Sequence, residues 1–260
     1  MENKIGVGIV TCNRPDFLRK LLDSISYRND VELVIVNDGG PIDIKGYNYY
    51  IINNETNLGV GKSKNKAMQH LLDKGCDYIF IIEDDMLILN DTVFEQYIKA
   101  HKKTGIHHFM FGYHGPANKG NISGGSPQPK MIVDYGDLKV ALNEHCVGAF
   151  CFYTRESLEK VGLMDDRYTN AFEHVDHSFV LAKNGFSTPY WWWSDIANSC
   201  EYIKEQACSE VSSSIRPRSD WGSNIYISAG IFETKHGVSP VDVPVASKDG
   251  VINFLRACKK

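Results

Sequence analysis

Residues 78–89 read YIFIIEDDMLIL. The run Tyr78–Ile82 is rich in β-branched and aromatic residues, too short for a helix and apolar on both faces. That is the pattern of a strand buried in the middle of a parallel sheet. It ends on Glu83, Asp84 and Asp85, three adjacent carboxylates beside Ile82 and Met86. Like charges at the edge of an apolar layer are costly, so the stretch predicts a cation or a cationic side chain at this strand end.

The flanking sequence supplies the rest of such a sheet. KIGVGIVTC (4–12) is a strand, and RPDFLRKLLDSIS (14–26) is an amphipathic helix with Pro15 in its first turn. VELVIVND (31–38) and YNYYIIN (47–53) are further strands, and GKSKNKAMQHLLDKG (61–75) is a helix closed by Gly75. DTVFEQYIKAHKKTG (91–105) and HHFMFGYH (107–114) add a helix and a strand. Strands alternating with helices make βαβ units, whose binding crevice lies beyond the carboxyl ends of the strands. Asn37, Asp38 and Gly39 end one strand there, and Glu83 to Asp85 end another.

Residues 115–137 are dense in Gly, Pro, Ser and Asn and are expected as a long loop or hairpin excursion. Beyond them lie a strand (CVGAFCFYT, 146–154), a short helix (RESLEKVG, 155–162), a helix from about Phe172 to Asn184 and an aromatic strand, TPYWWWS (188–194). Three consecutive Trp on a strand point to both faces, which predicts core packing for at least one of them, with contact to a sugar or base as the sharper alternative. The polar stretch CSEVSSSIRPRSDWG (208–222) is expected as a flap that orders on binding.

Composition excludes several classes. A formal net charge of −4 and no run of five Lys or Arg leave no electrostatic footprint for general nucleic-acid or anionic-membrane binding. No apolar run approaches the ~18 residues of a spanning helix, and the N-terminal residues lack a signal-peptide pattern. A cytoplasmic protein, soluble or bound peripherally at a membrane, is expected. Seven cysteines without a C-x-x-C pair point to reduced thiols rather than disulfides or a zinc site. Gly6 and Gly8 begin a G-x-G, but Thr11 takes the next glycine position, inside the strand, so the dinucleotide fingerprint fails. Gly61 to Ser63 imitate the end of a P-loop, but Thr56 stands where its first Gly belongs.

VGIVTCNRPDFLRKLLDSI, ELVIVNDGG, NNETNLGVGKSKNKAM and YIFIIEDDM, in that order, resemble the nucleotide-sugar-binding half of family 2 glycosyltransferases with the GT-A fold. VGAFCFYTRESLEKVGLMDDRY, FEHVDHSFVLAKNGF and FETKHG (232–237) resemble their acceptor half. The resemblance implies an α/β protein of GT-A type. A Rossmann-like nucleotide-binding half with a mixed central sheet would span residues 1–112, and a smaller acceptor-binding and C-terminal half of the same domain residues 113–260.

It further implies a metal-dependent, inverting glycosyltransferase that uses Mn2+ or Mg2+ and a nucleotide-sugar, UDP-sugar by default. The acceptor hydroxyl would lie on a glycan, a lipid-linked intermediate, a protein or a modified DNA base. The family's acidic signature falls on Glu83, Asp84 and Asp85, with Asp85 the direct metal ligand and Asp84 or Glu83 contacting ribose or metal-bound water. His236 is the candidate histidine ligand. Thr11, Asn13, Arg14 and Asp38 would line the nucleotide, Asn57 and Gly59 would shape the adjoining loop, and Lys62 would pair with base or phosphate. Asp176 is favoured as the base that deprotonates the acceptor, with Glu173 as orienting partner or alternative; in the alternative alignment His174 replaces a catalytic Asp.

Structural readings compete at each position. Asn13 with Pro15 also makes a helix entry, Asp38 a turn acid, and Asn90 with Asp91 a helix cap. Lys62 and His236 also suit solvated surface, and Glu173 with Asp176 an exposed helix face. The rival functions are a P-loop-like NTPase or nucleotidyltransferase, and a non-catalytic carbohydrate-binding module.

Overall fold

The computed structural model describes residues 3–25, 28–120, 125–206 and 219–258. The expected flap lies mostly outside them. The strands are β1 (Ile5–Thr11), β2 (Glu32–Asn37), β3 (Tyr50–Asn53), β4 (Tyr78–Glu83), β5 (Met86–Ile88), β6 (His108–Met110), β7 (Met131–Asp134), β8 (Lys139–Asn143), β9 (Phe150–Thr154), β10 (Trp193–Ile196) and β11 (Ile203–Glu205). The helices are α1 (Pro15–Ile25), α2 (Val60–Asp73), α3 (Val93–Thr104), α4 (Arg155–Val161), α5 (Glu173–Lys183), α6 (Trp221–His236) and α7 (Lys248–Cys258).

The main sheet runs β3-β2-β1-β4-β9-β6. β1, β2, β3 and β4 are parallel, whereas β9 is antiparallel to both β4 and β6. The sheet is therefore mixed, and β9, from the second half of the chain, lies between two strands of the first. β10-β8-β7 and β11-β5 form two smaller antiparallel sheets.

The apolar run of β4 is central, as its two-sided pattern requires. Phe80 and Ile82 pack with α1 and α3 residues such as Leu22, Phe94 and Tyr97; Ile79 and Ile81 pack on the opposite face with Ala67, Met68 and Leu71 of α2. The G-x-G of β1 also finds its reason here. A Cβ on Gly8 would lie 2.8 Å from Ala67 Cβ, and one on Gly6 2.8 Å from Leu71 Cδ2. The two glycines let α2 settle closely on the sheet.

The excursion after residue 115 ends in a hairpin, β7 paired antiparallel with β8, as the hairpin alternative has it. One segment differs from expectation. YWWW is largely a turn: Trp191 has φ 69°, and only Trp193 enters β10. Its polar atoms hold the C-terminal segment, with Tyr190 Oη, Trp191 Nε1 and Trp192 Nε1 donating to the carbonyls of Pro240, Val243 and Ala246 at 3.0, 2.8 and 3.0 Å.

Candidate active site

Because β1, β2 and β4 are parallel, their carboxyl ends open on one side of the sheet. Thr11, Arg14, Asp38 and Glu83 meet there in a cleft also lined by Asn57, Val60, Ser63 and Asn170. The cation expected beside the acidic triplet is in part the protein's own. Arg14 donates through one terminal nitrogen to Asp84 Oδ1 and through the other to Asp85 Oδ2, the latter at 3.1 Å. Thr11 Oγ1 donates to Asp84 Oδ2 at 2.6 Å. Asp84 is completely buried, and burial pushes its carboxyl up to about 7 even beside Arg14.

Asp85 keeps one oxygen apart from this network. Its Oδ1 is buried and accepts no hydrogen bond; His114 Nε2, likewise buried and without one, faces it at 3.5 Å. Burial favours the neutral acid at Asp85, but His114 and Arg14 outweigh it and hold the carboxyl below its ordinary range. Backbone contacts fix the acidic turn: Gln206 N donates to Asp85 O at 2.6 Å and Gln206 Nε2 to Asp84 O at 2.9 Å.

Asp38 organises a loop. Asn54 Nδ2 and Leu58 N donate to its Oδ1, both at 2.7 Å, and Asn57 Nδ2 and Gly59 N to its Oδ2 at 2.9 and 2.8 Å. Four donors occupy the carboxylate's capacity. Gly59 has φ 88°, and a Cβ there would lie 2.3 Å from Thr169 O, so the loop needs glycine both for its backbone and for its approach to the second half. Asn13, at φ 55°, accepts from Gly40 N at 2.8 Å and joins the ends of β1 and β2. Lys62 is half-buried and makes no hydrogen bond or ion pair among the described residues.

The buried cation of α2 is Lys64, which sequence reasoning missed. Its Nζ reaches Glu83 Oε1 at 2.7 Å, Gly148 O at 3.0 Å and Glu173 Oε1 at 3.3 Å. Burial opposes its charge, yet the two carboxylates raise its affinity for the proton. The signal was its place among Ser63, Ala67, Met68 and Leu71, on the buried side of α2. Glu173 Oε1 also meets His174 Nδ1 at 3.0 Å, while its buried Oε2 makes no hydrogen bond. Burial would raise the Glu173 carboxyl, but His174 and Lys64 carry it far below its ordinary range.

Asp176 lies on the same helix in a different setting. It is 1% exposed, with Lys235 Nζ 2.7 Å from Oδ2, and His236 Nε2 and Tyr168 Oη 2.7 and 3.1 Å from Oδ1. His236, in the last turn of α6, thus partners Asp176 rather than the acidic turn. Glu173 and Asp176 are buried acids, against the reading of an exposed helix face. Among the described residues, no group of three or more His, Cys, Asp or Glu side chains forms a ready metal cage.

Among the described residues, no helix is long and apolar enough to cross a membrane. Residues 6–162 match the family model for glycosyl transferase family 2. The uncharacterized glycosyltransferase R363 of Acanthamoeba polyphaga mimivirus is 28% identical over 234 residues, covering 82% of this chain and 85% of the relative. Among solved structures, Staphylococcus aureus TarS 1–349 is similar with a TM-score of 0.57 at 15% identity, over 98% of this chain and 71% of that one. The mannosyltransferase PcManGT from Pyrobaculum calidifontis, solved with GDP-Man and Mn2+, has a TM-score of 0.51 at 12% identity, over 100% and 70%. With that match over more than half its length, the chain belongs to glycosyl transferase family 2, a glycosyltransferase with the GT-A fold.

Proposed function

We propose that the protein transfers a sugar from a nucleoside diphosphate sugar, UDP-sugar first, to an acceptor hydroxyl with inversion and with a divalent metal at Asp85. The carrying observation is Asp85 Oδ1, buried and without a hydrogen bond in the acidic turn that follows Glu83 of the cleft. An oxygen withdrawn from water with no hydrogen bond of its own suits a metal ligand. A divalent ion held there supplies positive charge against the diphosphate as the leaving group departs. The Mn2+ in the PcManGT complex supports the same reading.

The chain's own residues divide the remaining work. Arg14 and Thr11 fix Asp84, so the acidic turn keeps one geometry. Asp38, Asn57 and Gly59 shape the nucleotide side of the cleft through their mutual hydrogen bonds, and Asn13 through its bond from Gly40 N; Asp38 acts through the loop it organises, since its oxygens are already engaged. Lys62, with no partner among the described residues, is available to a phosphate. Lys64 pairs with both Glu83 and Glu173 and holds the two carboxylates next to each other.

The acceptor's proton goes to the Glu173–His174 pair rather than to Asp176. Asp176 is enclosed by Lys235, His236 and Tyr168 and locks α5 to α6, whereas Glu173 retains an unused oxygen. His174 Nδ1 meets Glu173 Oε1 at 3.0 Å and orients the carboxylate, leaving Oε2 for the acceptor. One base and no second nucleophile beside it accord with inversion.

Thermal unfolding tests the donor reading. UDP, GDP, CMP, dTDP and ATP are compared with and without Mn2+, since a ligand of the folded state alone raises Tm. One nucleoside diphosphate should stabilise the protein, and more with Mn2+ than without. Stabilisation by ATP with Mg2+ alone would support the NTPase reading instead, and indifference to every nucleotide the carbohydrate-binding module.

A further inference from the structure

We propose that His114 is the second protein ligand of the divalent metal, and that the protein offers that ion one oxygen, Asp85 Oδ1, and one nitrogen, His114 Nε2. The inference rests on the metal-dependent reading above and adds to it a residue, a metal preference and an order of binding.

Topology brings the two residues together. β6 runs parallel to β4, since both are antiparallel to β9, and so the chain leaves β6 on the same side as the acidic turn. The segment that follows is held on both sides of His114. Phe111 N donates to Phe150 O at 2.9 Å and Gly112 N to Asp195 Oδ2 at 2.9 Å. Gly115 N donates to Glu205 Oε2 at 2.5 Å, and Lys119 Nζ reaches Glu205 Oε1 at 2.7 Å. Gln206, next in the chain, pins the acidic turn itself. One strand end, that of β11, therefore fixes both the turn carrying Asp85 and the segment carrying His114.

The local chemistry is that of a carboxylate oxygen and an imidazole nitrogen facing each other as a loose ion pair, whose place a metal ion would take. The Asp85 side chain is 6% exposed and that of His114 22%, and neither Oδ1 nor Nε2 makes a hydrogen bond. Their separation is 3.5 Å. Two donors at about 2.1 Å from one ion, at angles between octahedral and tetrahedral, lie about 3.0–3.4 Å apart, a small adjustment from this geometry. Asp85 Oδ2 is engaged by Arg14, and both Asp84 oxygens by Arg14 and Thr11.

Two protein donors do not fill a coordination shell, so the remaining positions fall to diphosphate oxygens and water. The metal should bind weakly alone and tightly with the nucleotide. A mixed imidazole and carboxylate set also favours Mn2+, Co2+ or Zn2+ over Mg2+ and Ca2+, which prefer oxygen alone.

Mn2+ binding to the full chain, with and without saturating UDP, is followed by electron paramagnetic resonance, and pulsed spectra report any 14N coupled to the ion. Wild type should show an imidazole nitrogen coupling with UDP present. H114A and H114N should lose it and bind Mn2+ at least ~10-fold more weakly, the loss that even outer partners of a metal ligand cause. The affinity of both variants for Mg2+ should change less than that for Mn2+. Wild type that binds Mn2+ with UDP but shows no nitrogen coupling, or H114N that keeps the coupling, overturns His114 as ligand and leaves the donor reading standing. UDP binding by wild type with no Mn2+ bound overturns the metal reading and this inference with it.

Discussion

Glu173 and Asp176 are one helical turn apart, and their surroundings give them different tasks. Both are buried carboxylates with cationic partners, but Asp176 has its oxygens engaged by Lys235, His236 and Tyr168, whereas Glu173 keeps Oε2 free of hydrogen bonds. E173Q should lower kcat by roughly 10²–10⁴-fold while donor binding is retained. D176N should lower Tm and leave the turnover of the folded fraction within about tenfold of wild type. Steady-state kinetics with a nucleotide-binding assay decide the matter: a kcat collapse confined to D176N would return the role of base to Asp176. Asp176 stood out in the sequence because the spacing to VLAKNGF aligns it with a family acid; nothing there announces that Lys235 and His236, some sixty positions later, come to meet it.

At the scale of elements, the connection from β3 to α2 matters most. Asp38 gathers four donors from Asn54, Asn57, Leu58 and Gly59, and α2 then starts against Thr169 and Tyr168 of the second half. G59A adds a Cβ to a left-handed residue and drives it into Thr169 O. It should cost more than the ~1–2 kcal/mol of the backbone conformation alone. Gly46 provides the control, with φ 91° and nothing within 4 Å of an added Cβ, so G46A should cost only that conformational amount. Urea unfolding measures both, and equal losses would remove the Thr169 contact from the account. The βαβ elements were legible because their apolar periods are long and unbroken. β7 and β8 were legible only as a loop or hairpin excursion, since short strands of a small sheet sit among turn residues, and YWWW was misread as a strand because Trp191's backbone conformation is set by the packing of residues 240–246 beneath it.

Across the whole molecule, Lys64 joins the halves. It is wholly buried, projects from α2, and touches Glu83 at the end of β4, Gly148 before β9 and Glu173 at the start of α5. K64M removes this cation from the buried Glu173 and the half-buried Glu83 and should destabilise the protein by about 3–5 kcal/mol, the cost of breaking a buried pair from one side. A loss under about 1 kcal/mol in urea unfolding would contradict that role. The same cluster sets an acid limb. Glu173 is held below its ordinary range by His174 and Lys64 against the opposing effect of burial, so its stabilisation is complete above the unfolded value near ~4.3 and is lost as pH falls below it. The stability gap between wild type and E173Q should therefore be full at pH 7 and narrow towards pH 3; a constant gap would show that charge at Glu173 is not its source.

Local order alone determined the central strand, the alternation of strands and helices, and the acidic turn at a carboxyl strand end, because periodicity and chain direction are written residue by residue. The likeness of FEHVDHSF and NDGG to family motifs marked where polar groups would gather. The tertiary structure decided how each is used: that Lys64 and not Lys62 is the buried cation, that Asp38 closes a loop, and that His114 faces Asp85 while His236 faces Asp176. These are meetings across the sheet and between halves, and a carboxylate's role depends on which donors reach it once the chain has closed around it. Spacing along the chain carries no record of that.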